Sequence, residues 1–299
     1  MIPESYRHSG QAPVSGLIVA IVGTVLSSLL LGVVYAFLVS WIPIVQLSLL
    51  ATAALGAAVG GVAGLCARWG KIRNVSVIVV IALMGASLGL WMAWVFDAKA
   101  RFGISDAPLL LSPVFLLDYM RQFHAEGFWS MGKGGVPVTG VFLLIVWAVE
   151  TFAILAISFT VSRKIIGSLP FCETCEQWTG RTEGFCRFLL PDNPEKKSGL
   201  LQELQQGDLS ALRELQFCIG DQNDSLKVDV CRCGSCDDAS YVTASTVEVA
   251  TNKKGETTVN LRPFVTNGKL SPEETHSLQN LRDRMQNVSQ ISDGSLSAS

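Results

Sequence analysis

Four uninterrupted apolar runs, at residues 17–41, 44–67, 75–96 and 138–162, constrain this chain more than anything else in it. A helix rises about 1.5 Å per residue, so roughly 20 apolar residues cover the hydrocarbon core of a bilayer. Each run meets that length, and only the last holds a side chain that is ordinarily ionised at neutral pH, Glu150. The expected membrane part is an α-helical bundle of four spans. Trp41, Trp69 and Trp94 fall near the ends of runs, where an amphipathic indole prefers the headgroup region. The first run is longer than the apolar stretch of a signal peptide, and no small-residue cleavage site separates it from the second, so it reads as a retained span.

Charge divides the chain after the fourth run. Residues 1–164 hold ten Lys/Arg against six Asp/Glu, a formal +4, and residues 165–299 hold thirteen against nineteen, a formal −6. The mean hydropathy of +0.39 therefore averages two unlike parts. The expected organisation is a membrane domain at 1–168, a cytoplasmic α+β domain at 169–288, and a Ser/Gly-rich disordered tail at 289–299. The basic membrane part suits contact with anionic lipid, and the acidic soluble part excludes nucleic acid as a partner.

Positive charge assigns the sides of the membrane. Arg7 precedes the first run, Arg68, Lys71 and Arg73 join the second to the third, and Arg163 and Lys164 follow the fourth. Basic loops stay in the cytoplasm, so the chain is expected to be multi-pass in the cell membrane with both termini cytoplasmic. The opposite side receives the Ile42-Pro43 turn and a loop at 97–137. Within that loop Ser112-Pro113 reads as a helix start, and the apolar residues after it mark an interfacial helix near 112–127.

Gly56, Gly60 and Gly64 recur every fourth residue in the second run, and Gly85 and Gly89 repeat the spacing in the third. Aligned small residues let helix backbones approach, either within the bundle or between subunits of a homo-oligomer. Glu150 lies at the midpoint of the fourth run, where an ionised carboxylate costs roughly 3 kcal/mol. It is expected to face the bundle interior, neutral or hydrogen-bonded to Ser27, Ser28, Ser87 or Thr52. It serves either as a polar clasp between helices or as a proton or cation relay. The clasp is favoured because no second ionisable residue falls inside the runs.

Seven of the eight cysteines lie in the soluble part, and Cys66 in the second run reads as a small packing residue. Cys172-Glu-Thr-Cys175 and Cys233-Gly-Ser-Cys236 are both C-x2-C pairs. Two such pairs enclose a tetrahedral zinc ion through four thiolates, and Cys231 is an alternative to Cys233. The stretch between the pairs reads as an insertion of two short helices, with leucines at helical spacing interrupted by Gly207-Asp208. After the second pair, residues 241–250 and 257–265 alternate as the strands of a hairpin around Lys253-Lys254-Gly255. Ser271-Pro272-Glu273-Glu274 then opens a last helix with a capping box. Over the cysteine pairs and the hairpin the layout resembles zinc-ribbon modules. The whole chain resembles bacterial multi-pass membrane proteins of uncharacterised activity, a resemblance that implies no reaction.

No phosphate-binding glycine loop, nucleophile elbow or H-E-x-x-H occurs, and His8, His124 and His276 lie in unrelated contexts. The leading expectation is a non-enzymatic membrane anchor or scaffold that displays a zinc-stabilised cytoplasmic domain for protein interaction or sensing. One alternative is a proton- or ion-coupled transporter subunit using Glu150. The other is a membrane thiol oxidoreductase using Cys172 and Cys175, which the acids Glu173 and Glu176 disfavour by holding the neighbouring thiols protonated.

Overall fold

The computed structural model describes residues 5–41, 45–103, 106–127, 130–131, 136–137, 139–218, 224–236, 238–251 and 257–296. It divides into two compact units, one of residues 9–168 and one that joins residues 1–8 to 169–299. The turns expected at Ile42-Pro43 and Lys253-Lys254-Gly255 fall outside the described residues.

The first unit is built on α1 (Val14–Trp41), α2 (Val45–Trp69), α3 (Val75–Phe102) and α6 (Gly140–Gly167). All four are long and apolar enough to cross a membrane. Their outward side chains include Leu26, Leu30, Met84, Val141 and Phe152, all exposed. An apolar surface of that extent is compatible with lipid around it. Between α3 and α6 the chain forms α4 (Ala107–Leu110), α5 (Pro113–Glu126) and a short pair of strands, β1 (Ser130–Met131) and β2 (Val136–Pro137). Helix α5 starts behind Ser112 with Pro113 in its first turn, and it buries Leu116 and Tyr119 against the last turns of α3.

Helix α1 packs on α2 and α3, α6 packs on the same two, and α2 also touches α3. The glycines explain how closely. A Cβ on Gly56 would lie 2.7 Å from the Ile154 carbonyl oxygen, and one on Gly60 would lie 2.5 Å from that of Ser158. On Gly64 it would meet Ile165 at 2.9 Å. The whole stripe is thus covered by α6 of the same chain, and a homo-oligomer would have to use another face. Gly85 and Gly89 admit Thr24 and Ser28 of α1 in the same manner, and Cys66 seats its sulfur over Gly23.

The third span departs from expectation. It continues past Phe96 to Phe102 and ends where Gly103 adopts φ +64 and returns its N–H to the Lys99 carbonyl. Ala98, Lys99 and Ala100 favour helix, and Arg101 pairs with Asp97 one turn back, so the first charge does not end the helix. Trp94 is consequently well inside the helix and not at its end.

The second unit is a four-stranded antiparallel meander of β5 (Gly180–Leu189), β6 (Ser225–Arg232), β7 (Ser240–Thr251) and β8 (Thr257–Lys269), in that order. Helices α7 (Pro194–Gln205) and α8 (Pro272–Leu296) and a 3-10 turn (Ser210–Glu214) accompany it. Leu200, Leu204, Leu212, Leu278 and Leu281 pack with Leu226, Val228, Val230, Val242 and Ala244 in one core. The capping box forms as a reciprocal pair, Ser271 N–H to Glu274 at 2.7 Å and Glu274 N–H to Ser271 Oγ at 3.2 Å.

Three details correct the sequence reading. The stretch between the cysteine pairs contains three strands besides its helices, a two-residue strand at Gln177–Trp178 and then β5 and β6, where Leu226, Val228 and Val230 alternate into the core. The hairpin at 241–265 is thus the outer half of a larger sheet. The last helix runs to Leu296, past residue 289, since Leu281, Met285, Val288 and Ile291 keep three-to-four-residue spacing. Finally, residues 5–8 belong to this unit. Ser5 bridges Gly268 on β8, and the Tyr6 N–H donates to the Asn267 carbonyl at 2.9 Å.

Candidate metal centre and membrane cavity

The first cysteine pair lies on a miniature hairpin. Strand β3 (Phe171–Cys172) pairs with β4 (Gln177–Trp178), and the intervening turn closes with Glu176 at φ +49. The second pair follows the end of β6 and precedes β7, and the Cys233 N–H donates to the Ala239 carbonyl at 3.0 Å. Residues 180 and 232 are partners in the sheet, so both knuckles stand at the same end of it. The local chain therefore delivers two thiols from each knuckle to one place.

The sulfurs of Cys172, Cys175, Cys233 and Cys236 all lie within 4.8 Å of one another, with Cys172 and Cys236 at 3.5 Å. Four sulfurs held tetrahedrally at about 2.3 Å from a metal would stand about 3.8 Å apart, so the cluster is within metal-binding distance. All eight cysteines are free of disulfides. Cys231, the alternate, is buried in β6 opposite Tyr241 and is not among the four that converge.

Hydrogen bonds prepare one sulfur as a thiolate. Burial alone would raise the Cys233 thiol, but Gln177 Nε2 at 2.9 Å, the Ser235 and Cys236 N–H groups and the Cys172 thiol outweigh it and bring it down to about 6. Its neighbours move the other way. The bond to Cys236 pushes Cys175 up to about 12, and burial pushes Cys172 up. Like charges so close cannot all form without a cation among them. Around the cluster Tyr6 and Tyr241 meet edge to face, the Tyr6 hydroxyl accepts from the Phe171 N–H at 3.0 Å, and His8 packs on Trp178. The N-terminal segment thus contributes to the wall of the thiol site, and His8 has a context that its position in the sequence concealed.

A second candidate site lies in the membrane unit. Side chains of α1, α3 and α6 line a cavity of 60 Å³, counted as space open to the centre of a water molecule. Its wall includes Tyr35, Trp94, Trp147 and Thr151, together with two carboxylates, Glu150 and Asp97. Glu150 is half-buried and accepts from Ser48 Oγ at a long 3.4 Å, so the partner on α2 is Ser48 and not one of the four side chains expected. Thr52, one turn on, donates to the Ser48 carbonyl at 2.9 Å, which leaves the Tyr35 hydroxyl to donate to Thr52 at 3.3 Å.

Asp97 is the cavity residue that the sequence reading missed. It is buried, and it accepts from the Tyr119 hydroxyl at 2.6 Å, from Ser40 Oγ at 3.1 Å and from Arg101 Nε at 3.1 Å. Burial and the bond to Asp97 push the Tyr119 hydroxyl well above its ordinary range, so it stays a donor. The pattern Asp97-x3-Arg101 followed by Gly103 was the available signal. A second ionisable residue therefore does stand inside the spans, on the same cavity as Glu150.

No known family model matches the chain, and no curated protein or solved structure is significantly similar to it.

Proposed function

We propose that this protein is a membrane anchor that displays a zinc-stabilised domain in the cytoplasm, where the domain binds a protein partner. The observation that carries the reading is the convergence of Cys172, Cys175, Cys233 and Cys236 within 4.8 Å, from two knuckles far apart in the chain. An all-thiolate tetrahedral donor set selects zinc or an iron–sulfur centre over oxygen-loving cations. Four protein ligands leave no open position for water or substrate, so the metal holds the fold and does not catalyse. An even number of crossings returns the chain to the side where it began, which suits residues 5–8 and 169–296 sharing one unit. The basic residues Arg68, Lys71, Arg73, Arg163 and Lys164 support the cytoplasm as that side.

The test is metal analysis of the full chain purified in detergent. One zinc per chain is expected, lost with strong chelator together with the sheet signal in circular dichroism. A metal-free chain with the same thermal stability as the loaded one, or a chain that carries iron, would overturn the reading.

A further inference from the structure

We infer that the cavity between α1, α3 and α6 is a binding site for a small alkylammonium ion, with Glu150 as its counter-ion and Trp94, Trp147 and Tyr35 as its walls. This does not depend on the thiol site or its metal.

The argument begins with charge. Of the two carboxylates on the cavity, Asp97 is matched within the protein by Arg101, and its remaining acceptor capacity is taken by Tyr119 and Ser40. Glu150 has no cationic partner among the described residues, and its one donor there is Ser48 at 3.4 Å. An ionised carboxylate at this depth costs roughly 3 kcal/mol, and one long neutral hydrogen bond does not offset that. A single positive charge placed in the cavity does.

The walls select the kind of cation. A metal ion such as calcium takes six to eight oxygen ligands, and magnesium demands six in a strict geometry. Asp97 and Ser40 are engaged with one another and with Arg101 and Tyr119, and the Tyr35 hydroxyl is engaged with Thr52. Glu150 and Thr151 are thus the side-chain oxygens left to a ligand, in a wall whose other side chains are aromatic or aliphatic. Trp94 and Trp147 stand edge to face with centroids 5.0 Å apart. Indole faces attract weakly hydrated organic cations. Size narrows the choice further. At roughly 10–15 Å³ for each water-sized group, 60 Å³ accommodates about four to six non-hydrogen atoms. Tetramethylammonium and ethylammonium fall in or near that range.

The cavity sits near the end of α3 that carries α5, towards the start of α6. The basic residues that join α2 to α3 and follow α6 lie at the opposite ends of those helices, so the positive-inside rule assigns this half of the bundle to the outer leaflet.

The experiment is isothermal titration of the full chain in detergent with tetramethylammonium, with sodium at equal ionic strength and tert-butanol as the uncharged analogue of the same heavy-atom count. Saturable binding of tetramethylammonium alone is expected. Glu150→Gln keeps the Ser48 bond and should abolish binding, and Trp147→Leu should weaken it about tenfold. Both variants should still fold, read by the helical signal in circular dichroism. Because the tert-butanol and sodium arms use the unmodified protein, a misfolded variant does not protect the proposal. No saturable heat from tetramethylammonium, equal binding of tert-butanol, equal competition by sodium, or undiminished binding to a folded Glu150→Gln chain would each overturn it.

Discussion

In the soluble unit four thiols meet within 4.8 Å, whereas in the membrane unit two carboxylates share a cavity from separate helices, in a wall mostly aromatic and apolar. The difference lies in how each region meets the charge it carries. The thiols sit too close to ionise together, and their separation suits a single multivalent cation held by all four. The carboxylates are kept apart. Asp97 is satisfied internally by Arg101, Tyr119 and Ser40, and Glu150 keeps acceptor capacity in reserve. A saturated site stabilises a fold, while an unsaturated one answers to what enters it.

The sharpest way to break this contrast is at the thiols. Apparent binding of a structural zinc ion is worth roughly 10 kcal/mol or more, which exceeds the stability of most small domains. Cys236→Ser in the full chain should therefore remove the metal and unfold the soluble unit, read by metal analysis and by proteolysis of the segment after residue 169. The α-helical signal of the four spans should persist. Loss of both units together would show that the regions are not independent and would undo the comparison.

A smaller effect is expected in the bundle. Gly60→Leu drives a side chain into the Ser158 backbone, which cannot yield as a flexible side chain would. Overpacking of this kind costs about 3 kcal/mol. The melting temperature of the bundle in detergent should fall while the metal content stays at its wild-type value. An unchanged melting temperature would mean that α2 and α6 do not approach through the glycine stripe.

The two regions also differ in how far they can be read without a structure. The thiol knuckles are local in sequence, and two C-x2-C pairs name their chemistry before any folding is considered. What the pattern leaves open is the choice between Cys231 and Cys233, because that depends on where β6 stops. Cys231 is still paired with Tyr241 in the sheet, and Cys233 lies beyond the last pair, where the chain turns. The cavity is legible only in part. Glu150 stands out as a carboxylate in an apolar run, but Asp97 lies just where a hydropathy reading ends the span. Its pairing with Arg101 is what lets α3 continue. That Trp94, Trp147 and Tyr35 share a wall depends on which faces of three helices meet, and no one helix carries that information.

The Asp97 network sharpens the membrane side of the comparison. Tyr119→Phe removes the 2.6 Å donor and leaves a buried carboxylate one hydrogen bond short. Bonds to charged groups contribute about 1.5–3 kcal/mol. The expected outcome is a drop of that order in the unfolding free energy of the bundle, measured by denaturant titration in detergent. Zinc content should not change. A variant as stable as the wild type would show that Arg101 and Ser40 suffice for Asp97, and the carboxylate would then resemble Glu150 more than the contrast allows.

The smallest effect is expected at Cys231, and it is the most informative about the thiol site. Cys231 is 1% exposed, it shares a cluster with Cys172, Cys233 and Tyr241, and it carries a donor atom of the same kind as the four that converge. Its strand position decides against it. Within β6 its backbone is tied to Tyr241 on one side and Arg181 on the other, so its sulfur cannot move to the cluster without breaking sheet pairing. Cys231→Ala should then cost only the packing of one buried sulfur, roughly 1 kcal/mol, with one metal still bound per chain. Cys233→Ala should behave in the opposite way and lose the metal, since that sulfur is the one that Gln177 and the Ser235 and Cys236 N–H groups hold as thiolate. Metal analysis of the two variants side by side separates them. If Cys233→Ala kept its metal by recruiting Cys231, the thiol site would not be saturated in a single way, and it would share with the cavity the spare capacity that now distinguishes them.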